Sequence, residues 1–403
     1  MNSPWRVALI SSVLLGLTVG LPYYAIPYFY DYWETSYGWS RSAIMLGLPL
    51  GTLVTLALGP LYVRRLSPRD SITGGSVLVA ASLAGFGLMP PNILAYYALW
   101  VLYMAGWTFA GPLAHQILLT HLFAEKRGAA LAVAYFGISF LGALSVAALA
   151  RPLTQAFGFQ TALLFLGALV ALAVPLSHWG LPATEPDHSP ASAPAPFPRN
   201  RSFWLLLTGT TISIAGVGGI SQHLKLILLE TGYPSQSRLD AVFGFTVLLM
   251  LLTGSIGRFL FAWSVDRFPK RPVLTIAFAL MAGSMPLLLV LDWAPDKIPY
   301  LFALIFGLGM SVDSLLLPIL AAEHFGSRSL PRVLGIIVPV NVVGQTWFPS
   351  LLTLLWSATG SYTVPLLFTF GFILTGRFLL AAIPQPETVH HPATAANPVP
   401  ASR

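Results

Sequence analysis

Twelve apolar runs, each long enough to cross a lipid bilayer, constrain the fold of this chain more than any other feature. About 20 consecutive apolar residues span the hydrocarbon core of a membrane. In chain order the runs cover 7–30, 42–62, 71–90, 93–118, 128–150, 161–181, 202–229, 240–264, 272–291, 298–322, 333–356 and 361–383. Only 9% of the 403 residues are charged, against about 25% in a soluble domain. The sequence therefore predicts an all-α integral membrane protein.

The positive charges are unevenly divided between the two sides of this predicted membrane. Fourteen Lys and Arg fall in the loops and tails of one side, and the other side receives four. The positive-inside rule makes the richer side cytoplasmic and places both termini there. The first run is too long for the apolar region of a signal peptide, so we expect it to remain as a span in the cell (inner) membrane. The net charge of +7 is then a topology signal, and we expect no nucleic-acid partner.

A stretch rich in Pro, Ala and Ser divides six runs from six. It has no apolar periodicity and too little hydrophobicity to insert in a membrane. The predicted organisation is an N-terminal six-helix bundle (1–181), a cytoplasmic linker (182–200), a C-terminal six-helix bundle (201–384) and a cytoplasmic tail (385–403).

The two halves also share matched positions. At offsets of 199, 203 and 207 residues the matches are Trp5 with Trp204, Gly59 with Ala262, and Gly128/Gly137 with Gly335/Gly344. Internal repeats are typical of carriers that alternate access by rocking one half against the other. Glycines in membrane helices allow neighbouring helices to approach closely. The pattern predicts two related halves with a site between them.

A single arginine and a single aspartate lie deep in apolar runs of the second half. Arg258 is eight residues from Asp266 in the next loop, about 12 Å, and Asp313 is eleven residues from His324, about 16 Å from the same side. Charges in hydrocarbon usually face a transport pathway or each other. An arginine binds a planar carboxylate through two hydrogen bonds. We predict an anion site at Arg258, with Asp313 as its proton-coupling partner or as a permanent ion-pair partner.

The loop after the eighth run has a recognisable pattern, GRFLFAWSVDRFPKR, from Gly257 to Arg271. It resembles the loop signature of the major facilitator superfamily, in which Asp-Arg and a basic pair follow a small residue. The positions that fit are Asp266, Arg267, Lys270 and Arg271, and a degenerate copy after the second run keeps Gly59 and Arg64. Such a loop can act as a conformational latch through its acid and its basic side chains. The alternative is that the basic residues serve only orientation.

Three further segments narrow the resemblance. They read YGWSRS from Tyr37, EKRGAALAVAYFG from Glu125 and GLGMSVDSLLLPILAAEHFGSRS from Gly307. They resemble monocarboxylate-transporter-like and oxalate/formate-antiporter-like members of that superfamily. The resemblance implies twelve helices in two pseudo-symmetric halves, with the substrate carboxylate at Arg258. The chain departs from it at Gly254, where mammalian-type carriers have an aspartate, and in the eleventh run, which holds amides instead of a lysine.

Other polar residues in the runs allow two interpretations each. Asn341 and Gln345 are four apart and on one face of a helix, so they either bind a substrate oxygen or join helices. Tyr23 and Tyr24 lie in the outer half of the first run, and they either line the periplasmic entrance or belong to an interfacial tyrosine belt.

Two basic residues lie near the outer end of the seventh run. Lys225 is expected to extend its side chain to water at this end. His223, close to the same helix end, is expected to be solvated. Neither residue is assigned to the site.

Three functions are weighed, with a carrier of small monocarboxylates, by proton symport or anion exchange, as the leading one. The second is an exporter of larger amphipathic compounds, and the third a membrane receptor that translocates nothing. The sequence has no phosphate-binding loop, no metal-ligand cluster and no cysteine, so we expect neither an enzyme nor a cofactor. Besides substrate, the expected partners are a proton or counter-anion and the lipid bilayer, with the chain acting as a monomer.

Overall fold

The computed structural model describes residues 4–123, 126–183 and 200–384. Most of the predicted linker and the whole predicted tail lie outside these ranges. For some helical positions only the backbone is described, namely 58–65, 121, 127, 262, 266, 313–316, 318–319, 322 and 326–332. The side chains of three predicted site residues, Arg64, Asp266 and Asp313, and the surroundings of Gly59 therefore lie outside the described part of the chain.

The described residues form ten helices that are long and apolar enough to cross a membrane, and two shorter apolar helices. Numbered in chain order they are α1 (Pro4–Tyr37), α2 (Arg41–Ala57), α3 (Pro68–Leu88), α4 (Ile93–Thr120), α5 (Gly128–Phe157), α6 (Phe159–Gly180), α7 (Arg201–Leu229), α8 (Gln236–Val265), α9 (Lys270–Leu289), α10 (Ile298–Met310), α11 (Val333–Thr359) and α12 (Thr363–Ala381). This order confirms the predicted all-α membrane architecture.

The tenth and eleventh predicted spans differ from the prediction. The tenth was expected to run from 298 to 322, but α10 ends at Met310 and a turn follows at Ser311 and Val312. Helical backbone then continues from Asp313 to Thr359, through the expected loop and the whole of α11. Hydropathy marks the polar break between two apolar runs, but it does not show whether the backbone there remains helical.

Close glycine contacts join α1 to α5 and α7 to α11. A Cβ on Gly137 of α5 would lie 1.7 Å from the Ser12 carbonyl oxygen, and one on Gly20 of α1 would lie 2.2 Å from that of Ile138. In the other half, a Cβ on Gly344 would lie 2.6 Å from Thr211, and one on Gly218 would lie 2.5 Å from the Gln345 carbonyl oxygen. Both helix pairs therefore depend on the absence of a side chain at these glycines.

These contacts correspond to positions of the repeat found in the sequence. Gly137 and Gly344 are the matched pair predicted at an offset of 207 residues, and they occupy equivalent helix pairs. Their predicted companions behave differently, because no atom of the described residues lies within 4 Å of a Cβ built on Gly128 or Gly335. Only the second glycine of each matched pair serves helix packing.

We name the two faces of the helix bundle by their position relative to the linker. The linker face carries the start of α1 and α7, and the distal face carries Tyr37 and Leu229, where those helices end. Hydrogen bonds between the halves include Gln155 with Ser237 and Ser350 with the Met45 carbonyl, both 3.0 Å and both toward the distal face. The described hydrogen bonds between the halves all lie at the distal ends or near the middle of the helices.

Candidate substrate site between the halves

The middle of α1 is irregular where it passes between the two halves. A π-helical turn covers Gly16–Gly20 and a 3₁₀ turn covers Ile26–Phe29. Pro22 and Pro27 lack the N–H groups that a regular α-helix needs. Such turns are frequent at functional sites, because they redirect side chains within a helix. Tyr23 and Tyr24 lie between these two turns, and their side chains interact with Gln345 and Arg258 of the second half, respectively.

Arg258 of α8 reaches across to the first half. Its Nη1 donates a hydrogen bond to the Ser139 hydroxyl of α5 over 2.6 Å, and Ser139 is buried. Its Nε is also buried and has no hydrogen-bond partner among the described residues. Arg69, Arg151 and Arg377 also have a buried Nε without a described partner, so Arg258 is distinguished by its position between the two halves. The guanidinium therefore retains a donor that could bind an anion.

Tyr24 is the aromatic neighbour of this arginine. It lies within electrostatic range of Arg258, and its ring meets α5 at Gly142, where an added Cβ would be 2.7 Å from the ring. The ring of Tyr23 lies 5.0 Å from that of Tyr24, edge to face. The tyrosines thus extend the surface around Arg258 along α1.

Two further hydrogen bonds cross the same interface. Gln345 of α11 donates to the Tyr23 hydroxyl over 3.0 Å, and Tyr30 donates to Gln222 of α7 over 2.7 Å. The sequence reasoning missed Gln222 and Ser139, because an uncharged polar residue in an apolar run gives no sign of which helix it faces.

Asn341 does not share the environment of Gln345. Its side-chain oxygen accepts hydrogen bonds from Thr211 (2.7 Å) and Thr210 (3.3 Å) of α7. Asn341 is therefore engaged in joining α11 to α7, four residues from an amide that faces α1.

The described residues of the loop pattern lie at the linker face. Lys270 forms an ion pair with Glu323, and Arg271 donates to the Ile383 carbonyl over 3.1 Å. The Arg267 guanidinium lies 4.5 Å from the Trp263 ring centre. The basic pair thus connects the start of α9 to the helix that leads into α11 and to the end of α12.

The expectation for Lys225 is wrong. Its side chain is fully buried (0% exposed), and its Nζ lies 2.7 Å from Asp31 of α1 and 2.8 Å from Asp240 of α8. It also donates to the Tyr28 carbonyl over 2.6 Å. The side chain meets two carboxylates from neighbouring helices instead of water.

The expectation for His223 is also wrong. The imidazole is fully buried, and its two nitrogens lie 2.8 Å from the Tyr362 hydroxyl and 2.8 Å from the Pro349 carbonyl. Both nitrogens are satisfied by α11 and by the residue that precedes α12. His223 is a packing residue within the second half.

A second ion cluster lies at the distal face. Arg41 donates to both carboxylate oxygens of Glu34, over 3.1 and 3.2 Å, and to Glu230 over 3.3 Å. Its guanidinium also stacks over Trp356, 4.3 Å from the ring centre. Because Glu230 and Trp356 belong to the second half, the cluster adds to the contacts that close this face.

Comparisons with known proteins show the same architecture. The sequence model of the Major Facilitator Superfamily matches residues 111–349, more than half of the chain. None of the curated proteins matches. Among solved structures, a bacterial homologue of the human lysosomal transporter Spinster, in an inward-facing and unoccupied conformation, is similar with a TM-score of 0.68 and 13% identity, over 94% of this chain and 96% of that one. At this identity the match concerns the fold alone.

Proposed function

We propose that this chain, which belongs to the major facilitator superfamily and is a secondary transporter, carries small monocarboxylate-type organic anions by alternating access. The observation that supports this substrate class best is Arg258. It lies between the halves, one N–H is bound to Ser139, and another is buried without a described partner. A carboxylate oxygen would satisfy that donor at the interface that must open and close during transport.

Topology and coupling form the second part of the proposal. The excess of Lys and Arg supports a cytoplasmic linker face, with both termini inside the cell membrane. In this orientation the described bonds at the distal face lie on the outer side of the membrane. We further propose proton symport with Asp313 as the partner of Arg258, because the two were predicted at similar depths.

The proposal predicts that Arg258→Gln strongly reduces carboxylate uptake into proteoliposomes at substrate concentrations below saturation. Hydrogen bonds to charged groups contribute roughly 1.5–3 kcal/mol, so substrate affinity should fall at least about tenfold. The measurement is uptake of labelled formate, lactate, pyruvate, oxalate and an aromatic acid, with and without a pH gradient. Uptake driven by the gradient supports symport, whereas a requirement for internal anion indicates exchange.

The matched control is Arg377→Gln, because Arg377 is a second arginine of an apolar helix. Arg377 lies on α12 and donates a hydrogen bond to Thr275 of α9. This contact lies away from the interface between the halves. Uptake should survive this change. If native protein that is shown to be folded transports none of the acids, the monocarboxylate proposal fails and export of larger amphipathic compounds becomes the better hypothesis.

A further inference from the structure

A groove lies between the start of α1 and the end of α6, at the linker face of the first half. Its volume is about 340 Å³. Arg6 and Ile10 of α1 form one wall, and the lining residues of α6 are Leu172, Pro175, Leu176, Trp179 and Gly180. From Leu172 to Gly180 the helix rises about 12 Å. The groove therefore extends over roughly two helical turns from the linker face toward the middle of the membrane.

The groove opens toward the membrane, on the outside of the bundle. Leu172 and Trp179 of α6 are 58% and 79% exposed, and Leu9 of α1, next to Ile10, is 60% exposed. These residues belong to helices that cross the membrane, so their exposed apolar atoms meet lipid. Contiguous exposed apolar surface of this kind is typical of a membrane-interaction site. The molecules that can enter the groove are therefore lipids of the surrounding leaflet.

The polarity of the groove changes along its length. Arg6 is the one charged residue among those that line it, and it is exposed at the linker end of α1. Trp179 lies at the same end, where an indole ring suits the level of lipid headgroups. Neither α1 before Asp31 nor α6 contains an acidic residue. A positive charge without a neighbouring acid on these walls, at the water end of an apolar groove, matches a molecule with an anionic head and an apolar chain.

The corresponding helices of the second half pack more tightly. By the order of the spans, α7 and α12 correspond to α1 and α6. A Cβ on Gly209 of α7 would lie 2.6 Å from the Leu380 side chain of α12. Between α1 and α6, a Cβ on Gly180 would lie 3.1 Å from Ile10, and the groove lies beside this contact. The groove therefore reflects the side chains of the first half, since the repeat alone does not create it.

We propose that the groove binds one anionic phospholipid, with its headgroup phosphate at Arg6 and an acyl chain along Ile10 and Leu172. A guanidinium donates strong hydrogen bonds to phosphate oxygens, and basic pockets between membrane helices bind anionic headgroups. The bound lipid joins the helix that carries Tyr23 and Tyr24 to the helix that leads into the linker. The inference does not rest on the proposed substrate, because the groove lies outside the interface between the halves.

The experiment measures contact between Trp179 and lipid by fluorescence quenching. The full chain is placed in phosphatidylcholine bilayers that contain a minor fraction of either phosphatidylglycerol or phosphatidylcholine with acyl chains brominated near the headgroup, because bromine quenches indole fluorescence on contact. The Trp179 signal is the difference between each protein and its Trp179→Phe version. One arginine beside an anionic lipid favours it about fivefold. Brominated phosphatidylglycerol should therefore quench Trp179 at about one fifth of the fraction that brominated phosphatidylcholine requires.

Two arginine variants test the position of the site. Arg6→Gln should remove the preference for phosphatidylglycerol. Arg201→Gln is the matched control, because Arg201 is an exposed arginine at the start of α7, on the same face but outside the groove, and this variant should keep the preference. The proposal is overturned if the two lipids quench native Trp179 equally. It is also overturned if Arg201→Gln lowers the preference as much as Arg6→Gln, since the linker face then attracts anionic lipid without a specific site.

Discussion

Lys225→Met is expected to lower the melting temperature of the purified protein strongly. The change leaves Asp31 and Asp240 buried beside each other with no cation between them. Removing one partner of a buried ion pair costs about 3–5 kcal/mol, a large part of the roughly 5–15 kcal/mol that stabilises a typical folded protein. For a chain of 403 residues the expected fall in melting temperature is roughly 4–6 °C. The 11 tryptophans provide the fluorescence signal for the measurement.

Two variants test whether charge burial is the cause. Arg238→Gln removes a cation at the distal end of α8 that pairs with Asp296 over 2.8 Å, but both side chains are about half exposed (51% and 49%). This pair also holds the pKa of the Asp296 carboxyl below its usual value, through the hydrogen bond from Arg238. Exposed ion pairs contribute little to stability, so this variant should melt close to the native protein.

Neutralising the whole network is the second test. Adding Asp31→Asn and Asp240→Asn to Lys225→Met removes the uncompensated charges, and most of the lost stability should return, since buried ionic networks can often be replaced by neutral groups. If the single variant melts like Arg238→Gln, or if the triple variant recovers nothing, the network does not stabilise this state as described.

The all-α architecture and the positions of most helices could be predicted from sequence because a bilayer imposes a length on every span. Long apolar runs set off by polar breaks identify helices without any knowledge of their neighbours. The matched glycines could be found because the two halves repeat. A close helix contact in one half then recurs at the equivalent position of the other half. Gly137 and Gly344 lie at such contacts in both halves.

The partners of individual polar residues could not be predicted in the same way. Lys225 has the spacing of a residue that extends to water, and only the packing of α1 against α7 and α8 shows that two acids surround it. Asp31 and Asp240 each lie within two turns of a helix end, where charges are ordinary. One signal was present in the sequence, because a lone lysine and two acids near the same face can compensate each other.

The sequence also could not show which neighbouring helix is contacted by each side chain on one helix face. Asn341 and Gln345 are four residues apart and share a face, yet one bonds to α7 and the other to Tyr23 of α1. α11 packs against α7 and reaches α1 at Tyr23, so neighbouring positions meet different partners. Periodicity locates a face, but it does not divide that face between two neighbours.

Alanine substitutions at three glycines should rank in their cost as Gly137, then Gly344, then Gly128. At Gly137 the new Cβ would lie 1.7 Å from the Ser12 backbone oxygen, and α1 and α5 can relieve that overlap only by moving apart. At Gly344 the closest atom, 2.6 Å away, belongs to the Thr211 side chain, which can adjust. Overpacking typically costs about 1–3 kcal/mol, and Gly137→Ala should lie at or above the upper end.

Gly128→Ala is the internal control, because it lies nine residues earlier in the same helix and a Cβ there meets nothing within 4 Å. Gly128 begins α5, where the advantage of alanine in a helix interior is small, so this variant should melt close to the native temperature. Thermal unfolding of the three variants in one detergent measures the ranking. Equal melting temperatures for Gly137→Ala and Gly128→Ala would show that α1 and α5 separate at little cost. Since Ser139, which binds Arg258, lies two residues after Gly137, loosening this contact should also weaken the substrate site.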